Sequence, residues 1–379
     1  AGCSGGYLVH PAWRPPVCAP DQETNTMSNS SVNLPDTSKK RFLLITLLLS
    51  VILVGLTLAS LLLGSANLSA QTVYQALWHA TPGTSYEVLW NLRLPRTLMA
   101  ILVGMHFALA GLILQSVIRN PLADPSVIGV SGGASLAIVV FLLLADLISG
   151  TLLQGRAATI SLHWLPFAAL LGGILTAVFV LSLSWRSGVS PTKLALNGVA
   201  VGAVMNAAVM WIIIAWGGGR TETTILWLAG SLYGRDFYHL TTLLPWTLLG
   251  LLTLPMILRP LSVLRFGDDL AQSMGLHIHR WRLFSITVAV AMAASAIAVA
   301  GPVGFVGLIV PHLAQLLIGS TIGQLMLTSL LTGACLALSA DILARLLLNP
   351  LELPMGALTT LIGIPVLLFL LQHQQGKAT

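Results

Sequence analysis

The chain has 379 residues, 56% of them apolar and only 8% charged, with 18 Lys/Arg against 12 Asp/Glu and a formal net charge of +6. Soluble domains carry about 25% charged residues, so a water-facing surface of this size is not covered and a soluble enzyme is excluded. Disorder of the whole chain is excluded as well, because disordered chains are rich in charge and poor in apolar residues; a polytopic protein whose solvent is mostly lipid remains.

Residues 1–41 differ from everything after them. They hold Pro11, Pro15, Pro16, Pro20 and Pro35, a Ser/Asn/Thr-rich stretch and no apolar periodicity. This reads as a disordered tail. Met27 followed by Ser28-Asn29-Ser30-Ser31 resembles a natural start, which would make residues 1–26 foreign to the native chain. Lys39-Lys40-Arg41 then leads into Phe42–Gly64, an uncharged stretch longer than the apolar core of a signal peptide (about 7–15 residues) and suited to a spanning helix.

A helix crosses the hydrocarbon core with about 20 apolar residues. Candidate spans follow at 42–64, 95–117, 126–147, 164–185, 194–216, 239–258, 283–300, 304–318, 325–345 and 354–371. The expected fold is therefore an all-α polytopic membrane bundle of about ten transmembrane helices, residues 42–379 forming one domain. Only Gly301-Pro302-Val303-Gly304 separates the seventh span from the eighth, so this region also reads as one broken helix. Between the first two spans, Leu68–Trp78 is suited to a short interfacial helix with its aromatic rings at headgroup level.

An even number of spans puts both termini on one side. With that side cytoplasmic, the inner segments hold eleven Lys/Arg and the outer segments six: Arg93, Arg96, Arg156, Arg220, Arg235 and Arg345. The bias fits the positive-inside rule, and six outer arginines are more than that rule leaves by chance. The positive charge is scattered in ones and twos, not gathered into a nucleic-acid-binding patch. Cys3, Cys18 and Cys335 have no metal or disulfide spacing.

No phosphate loop occurs: the only Gly-Lys pair is Gly376-Lys377, followed by Ala378. Within the spans, Asp341 lies four residues before Arg345, on one helical face, which favours a structural pair over an ion-coupling carboxylate. His106 and His312 read as hydrogen-bonded residues between helices. The connection at 259–282 contains Asp268-Asp269-Leu270-Ala271-Gln272-Ser273-Met274-Gly275. Asp268 is expected to cap a short helix and Gly275 to end it, with Leu270, Ala271 and Met274 on one apolar face suited to a partner subunit.

Several runs together resemble the FecCD-type permeases of bacterial importers for iron–siderophore complexes, haem and cobalamin. They are Leu92-Arg93-Leu94-Pro95-Arg96, Arg119-Asn120-Pro121-Leu122-Ala123-Asp124-Pro125, Gly129-Val130-Ser131, Trp227-Leu228-Ala229-Gly230-Ser231-Leu232, Ala300-Gly301-Pro302-Val303-Gly304-Phe305 through His312, Ala340–Arg345, Glu352–Gly356 and Gly363-Ile364-Pro365. The resemblance runs in order from about residue 42 to 371 and is nearest to the siderophore branch. It implies a non-catalytic, multi-pass subunit of the bacterial inner membrane without cofactor or metal, paired with a second copy or a homologous permease. Two ATP-binding subunits would drive it and a periplasmic binding protein would deliver the cargo. It further implies that Arg93, Arg96 and Arg345 meet acidic residues of the binding protein, and that residues 268–275 form the coupling helix. The path would run along the fifth span, with Pro191 and Thr192 at the gate and Asn197, Met205 and Asn206 along the wall; the cobalamin branch carries Thr-Ser at the gate, from which Pro191 departs. A haem or cobalamin importer permease is the alternative within the same class, and an ion-coupled secondary transporter using Asp341 and the histidines is the competing expectation outside it.

Overall fold

The computed structural model describes residues 36–64, 69–78, 83–152, 162–185, 191–216, 221–348 and 352–375. Residues 1–35 of the expected tail lie outside this range, as do Arg156, Arg186, Arg220 and Lys377. Helix α1 spans Asp36–Leu62 and α2 Ala70–Trp78. Next come α3 (Thr84–Glu87), a π-helical turn (Val88–Arg93) and α4 (Leu94–Ile118), which run on without a break. Then follow α5 (Val130–Leu152), α6 (Leu165–Trp185), α7 (Pro191–Trp216) and α8 (Thr221–Leu228). The series closes with α9 (Phe237–Leu264), α10 (Asp268–Ser273), α11 (Ile278–Ala300), α12 (Val306–Ile318), α13 (Ile322–Leu346) and α14 (Met355–Gln375).

Among the described residues, eight helical segments are long and apolar enough to cross a membrane, and α12 and the apolar part of α14 add two shorter ones. Every one of the ten expected segments falls on a helix. Helix α1 begins at Asp36, so residues 36–41, expected in the tail, form its first turns. Helix α9 runs past the expected end near 258 through Pro255 and Pro260. Prolines are tolerated inside such helices because neighbouring groups satisfy the freed backbone carbonyls. Helix α8 was not expected at all; its eight residues are too short to read as a span.

Helix α4 is the hub, packed against α9, α11, α12 and α13, while α5 lies between α6 and α7 and α1 leans on α13. Helices α4, α11 and α13 are the most buried, whereas α1 leaves Leu43, Leu47, Val51 and Val54 exposed. In lipid no hydrophobic effect drives helices together, so close backbone approach and dispersion must hold the bundle. Small residues supply that approach. A Cβ on Gly104 would meet the backbone of Gly333 in α13, and one on Gly111 would meet the Gly307 carbonyl in α12.

The break between α11 and α12 is real. Gly301 and Phe305 both take left-handed φ values, 74° and 67°, and the intervening backbone is not helical. Non-helical backbone at membrane depth is tolerated only when protein surrounds it. Here the Gly230 turn and the start of α14 close over it: Gly356 N–H donates to the Gly230 carbonyl at 2.9 Å, and Gly230 packs on the Pro302 carbonyl.

Two opposite ends of the bundle concentrate the charged groups. The upper end carries residues 93–96 and 341–352; the lower end carries residues 119–125 and 265–282.

Candidate functional site: an arginine cluster above and an anchored helix below

At the upper end the π-helical turn re-aims Arg93 toward the last turn of α1. Its Nη1 donates to the Leu61 and Leu62 carbonyls at 2.6 and 2.9 Å. Arg345, from α13, reaches the same helix end, with Nη2 donating to Ser60 Oγ at 2.7 Å and Nη1 to the Ser60 carbonyl at 3.3 Å. Carbonyls at a helix C-terminus lack intrahelical partners and carry the negative end of the dipole, so cations belong there.

Arg96 binds two carboxylates from distant parts of the chain. Its Nε and Nη2 both lie 2.9 Å from Asp341 Oδ1, and its Nη1 lies 2.7 Å from Glu352 Oε2. Arg345 Nη2 sits 3.1 Å from Asp341 Oδ2, the i,i+4 pair expected from the sequence. Asp341 is fully buried, and Arg93, Arg96 and Arg345 are each at most 9% exposed. The three arginines expected at a docking surface thus lie beneath the surface of this chain, bracing α1, α4, α13 and the segment leading into α14. Three positive and two negative charges leave the cluster with a net +1. A fourth outer arginine, Arg235, donates to His239 Nε2 at 3.2 Å, and His239 Nδ1 donates to Asp236 Oδ1 at 2.7 Å. Burial pushes the Arg235 guanidinium down to about 10. Asp236 also caps α9, accepting from Tyr238 N and His239 N.

Neither His106 nor His312, the two histidines singled out within the spans, is exposed. His106 Nδ1 lies 3.0 Å from the Met292 carbonyl, to which it must donate, leaving Nε2 to accept from Thr247 Oγ1 at 2.8 Å. His312 Nδ1 donates to the Leu308 carbonyl one turn back. His312 also lines a cavity of about 240 Å³ at the lower end with Gln115, Arg119, Arg265 and Gln315. Among the described residues, no three His, Cys, Asp or Glu side chains are placed to hold a metal ion.

The run Arg119–Pro125 becomes a compact turn. Arg119 ends α4 with a left-handed φ of 56°, Asn120 Oδ1 accepts from Leu122 N, and Asp124 Oδ1 caps the 3-10 turn 125–128 through Ser126 N. Burial raises the Asp124 carboxyl above its ordinary range, opposed by its bonds from Ser126.

Below it sits α10. Gly267, not Asp268, holds the N-cap position, and Asp268 makes no capping bond there. Its carboxylate is drawn away instead: Oδ1 lies 2.9 Å from Arg119 Nη2 and 2.7 Å from Arg282 Nη2. Gly275 ends the helix with φ 77°, its N–H bonded to the Gln272 carbonyl. The expected single apolar face divides. Ala271 is fully buried against the bundle, while Leu270 and Met274 point outward with Phe266, 48%, 64% and 76% exposed. Asp269 and Leu270 border an open cleft of about 580 Å³ with Arg119, Phe266, Gly267, Asp268 and Ser273.

In α7, Pro191 occupies the first helical position, where its missing N–H removes no bond. Thr192 and Asn206 are exposed, Met205 is half-buried beside Gly132, and Asn197 Nδ2 donates to Ser184 Oγ of α6 at 3.0 Å. The rest of α7 leaves Leu196, Val199, Val204, Met210, Trp211 and Ile214 exposed on this chain.

A multi-span helical bundle with a broken helix at membrane depth, a bonded charge cluster at one end and an anchored surface helix at the other defines a membrane transport subunit by class. The sequence profile of the FecCD transport family matches residues 51–373, and the chain belongs to that family. It is 37% identical over 339 residues to the Fe(3+)-citrate import system permease protein YfmE of Bacillus subtilis (strain 168), covering 89% of this chain and 98% of the relative. It is also 37% identical to the achromobactin transport system permease protein CbrC of Dickeya dadantii (strain 3937), covering 86% of this chain and 90% of CbrC. Among solved structures it resembles an inward-facing metal-chelate type ABC transporter, with a TM-score of 0.74 and 28% identity over 87% of this chain and 99% of that one.

Proposed function

We propose that this chain is the permease subunit of a binding-protein-dependent importer that carries ferric siderophore complexes across the bacterial inner membrane. ATP is hydrolysed by a partner subunit docked on α10. The observation that carries the reading is the overlap with nearly the whole of a ferric citrate permease, together with an anchored helix that presents Phe266, Leu270 and Met274 to the lower side. The transport domain starts with α1 and follows a cytoplasmic tail, both termini lying inside. The exposed face of α7 packs against a second copy or a homologous permease, with the path beside Asn197, Met205 and Asn206 and the gate at Pro191 and Thr192. The binding protein docks on the upper end above Arg93, Arg96 and Arg345. Because these groups are buried, they act through the net positive field of their cluster and through the shape they hold, setting register and association rate.

An ion-coupled mechanism has less support. Asp341 is bonded to two arginines and both His106 ring nitrogens are engaged, so neither is placed to exchange a coupled proton. The test is reconstitution in liposomes with the ATPase subunit and binding protein, following radio-iron(III) citrate and haem separately. ATP-dependent iron citrate uptake is expected. Uptake by the chain alone under a proton or sodium gradient would overturn the importer reading, and preferential haem uptake would replace the cargo.

A further inference from the structure

We infer that Asp268 is the mechanical link between α10 and the body of the bundle, a positioning residue through which displacement of that helix reaches α4 and α11. This inference rests on the docking of an ATPase at α10. A surface helix of six residues cannot transmit force through its own backbone bonds, since so short a helix is marginal alone. It must be tied to something rigid. Apolar contact through Ala271 resists separation but not sliding, because dispersion has little directionality.

The directional ties are the two bonds of one carboxylate oxygen. Asp268 Oδ1 is shared by Arg119, the last residue of the α4 run, and by Arg282, near the start of α11. Helices α4 and α11 pack on each other and are among the most buried of the described spans, so the carboxylate joins α10 to two helices anchored deep in the bundle. Two further features serve the same contact. The left-handed backbone at Arg119 ends α4 at the residue whose side chain pairs with Asp268. Gly267, with φ 116°, lies where a Cβ would come within 3.4 Å of Arg119 Nη1. A side chain at 267 would strain the backbone at this φ, while its Cβ would rest in ordinary contact with the guanidinium. The neighbouring Asp269 borders the same cleft as Asp268, but it is Asp268 that pairs with Arg119 and Arg282, so two adjacent acids at the same helix start have different tasks.

The experiment uses the assembled transporter in liposomes, with ATP hydrolysis and radio-iron(III) citrate uptake measured together. Asp268→Asn is expected to leave the ATPase bound and hydrolysing while lowering iron moved per ATP by at least about five-fold, the lower end of ordinary coupling between sites. Arg119→Gln is expected to act in the same direction, Asp268→Glu to restore part of the ratio, and Asp269→Asn, which breaks neither bond, to lower it less than Asp268→Asn does. A wild-type ratio in both Asp268→Asn and Arg119→Gln overturns the link. So does equal loss in Asp268→Asn and Asp269→Asn, which would mark a general charge effect. The underlying docking is judged separately by Leu270→Asp with Met274→Asp: retained ATPase binding there refutes the docking surface.

Discussion

Asp341→Asn keeps the size of the side chain and removes one charge from the centre of the upper cluster. The carboxylate is fully buried and holds Arg96 at 2.9 Å and Arg345 at 3.1 Å. After the substitution Arg96 keeps Glu352, and Arg345 keeps Ser60 Oγ and the carbonyls that end α1. Two buried guanidinium groups would then share one carboxylate, and the new amide nitrogen would add a donor among donors. Removing one partner of a buried pair costs about 3–5 kcal/mol, because the remaining charge is left uncompensated. Glu352→Gln should cost less, about 1–2 kcal/mol, since that side chain is 22% exposed and meets the cluster through Arg96 alone.

The assay is reversible unfolding of the purified chain in mixed micelles, with both variants measured again in an Arg96→Met background. Once Arg96 is gone, Asp341 keeps only Arg345 as a partner, so the loss caused by Asp341→Asn should shrink by about 2 kcal/mol or more. A cost for Asp341→Asn below about 1 kcal/mol, or one independent of Arg96, would refute the cluster as a brace.

Gly111→Ala should destabilise by about 1–3 kcal/mol by driving a Cβ into the Gly307 carbonyl; Gly55→Ala, with open space around it, serves as the control. His106→Ala should lose about 1–3 kcal/mol by removing the buried bonds to Thr247 and the Met292 carbonyl and leaving a cavity, while uptake per folded molecule stays unchanged; abolished uptake in fully folded protein would give the ring a transport role instead. Asp124→Asn should remove a pH dependence. Burial raises this carboxyl's pKa in the folded chain, so its proton is held more tightly folded than unfolded. Stability attributable to it is present below the unfolded value of about 4 and declines as pH rises through the raised folded value. The variant keeps the cap through Asn Oδ1 and should be more stable at neutral pH, as unfolding curves at pH 5 and 8 would register.

The spans were legible because hydropathy over about 20 residues is a local property, and so was the i,i+4 pair of Asp341 with Arg345. What escaped the sequence was pairing across distance. Arg96 is separated by 245 residues from Asp341 and by 256 from Glu352, and nothing at Arg96 itself announces a buried partner. An arginine at the end of a span reads as exposed by default, so the burial of Arg96 and Arg345 within a bracing cluster was not foreseen. Asp268 went astray for the same reason. Its position before a short apolar run satisfies the capping pattern, and Gly267 satisfies it one residue earlier.

The choice between the two was made by Arg119 and Arg282, which lie far from Asp268 in sequence and close in space. In a chain with so few charges, an unpaired one inside the bundle is expensive, so most of them are answered by a partner. The distribution of those answers separates the two ends. Above, each carboxylate joins spans to one another within a buried network, which resists movement. Below, a single carboxylate oxygen joins a surface helix to the hub while the rest of that helix stays accessible. A transporter needs both: an upper frame that keeps its shape when a partner lands on it, and a lower contact that is strong in one direction and movable as a unit.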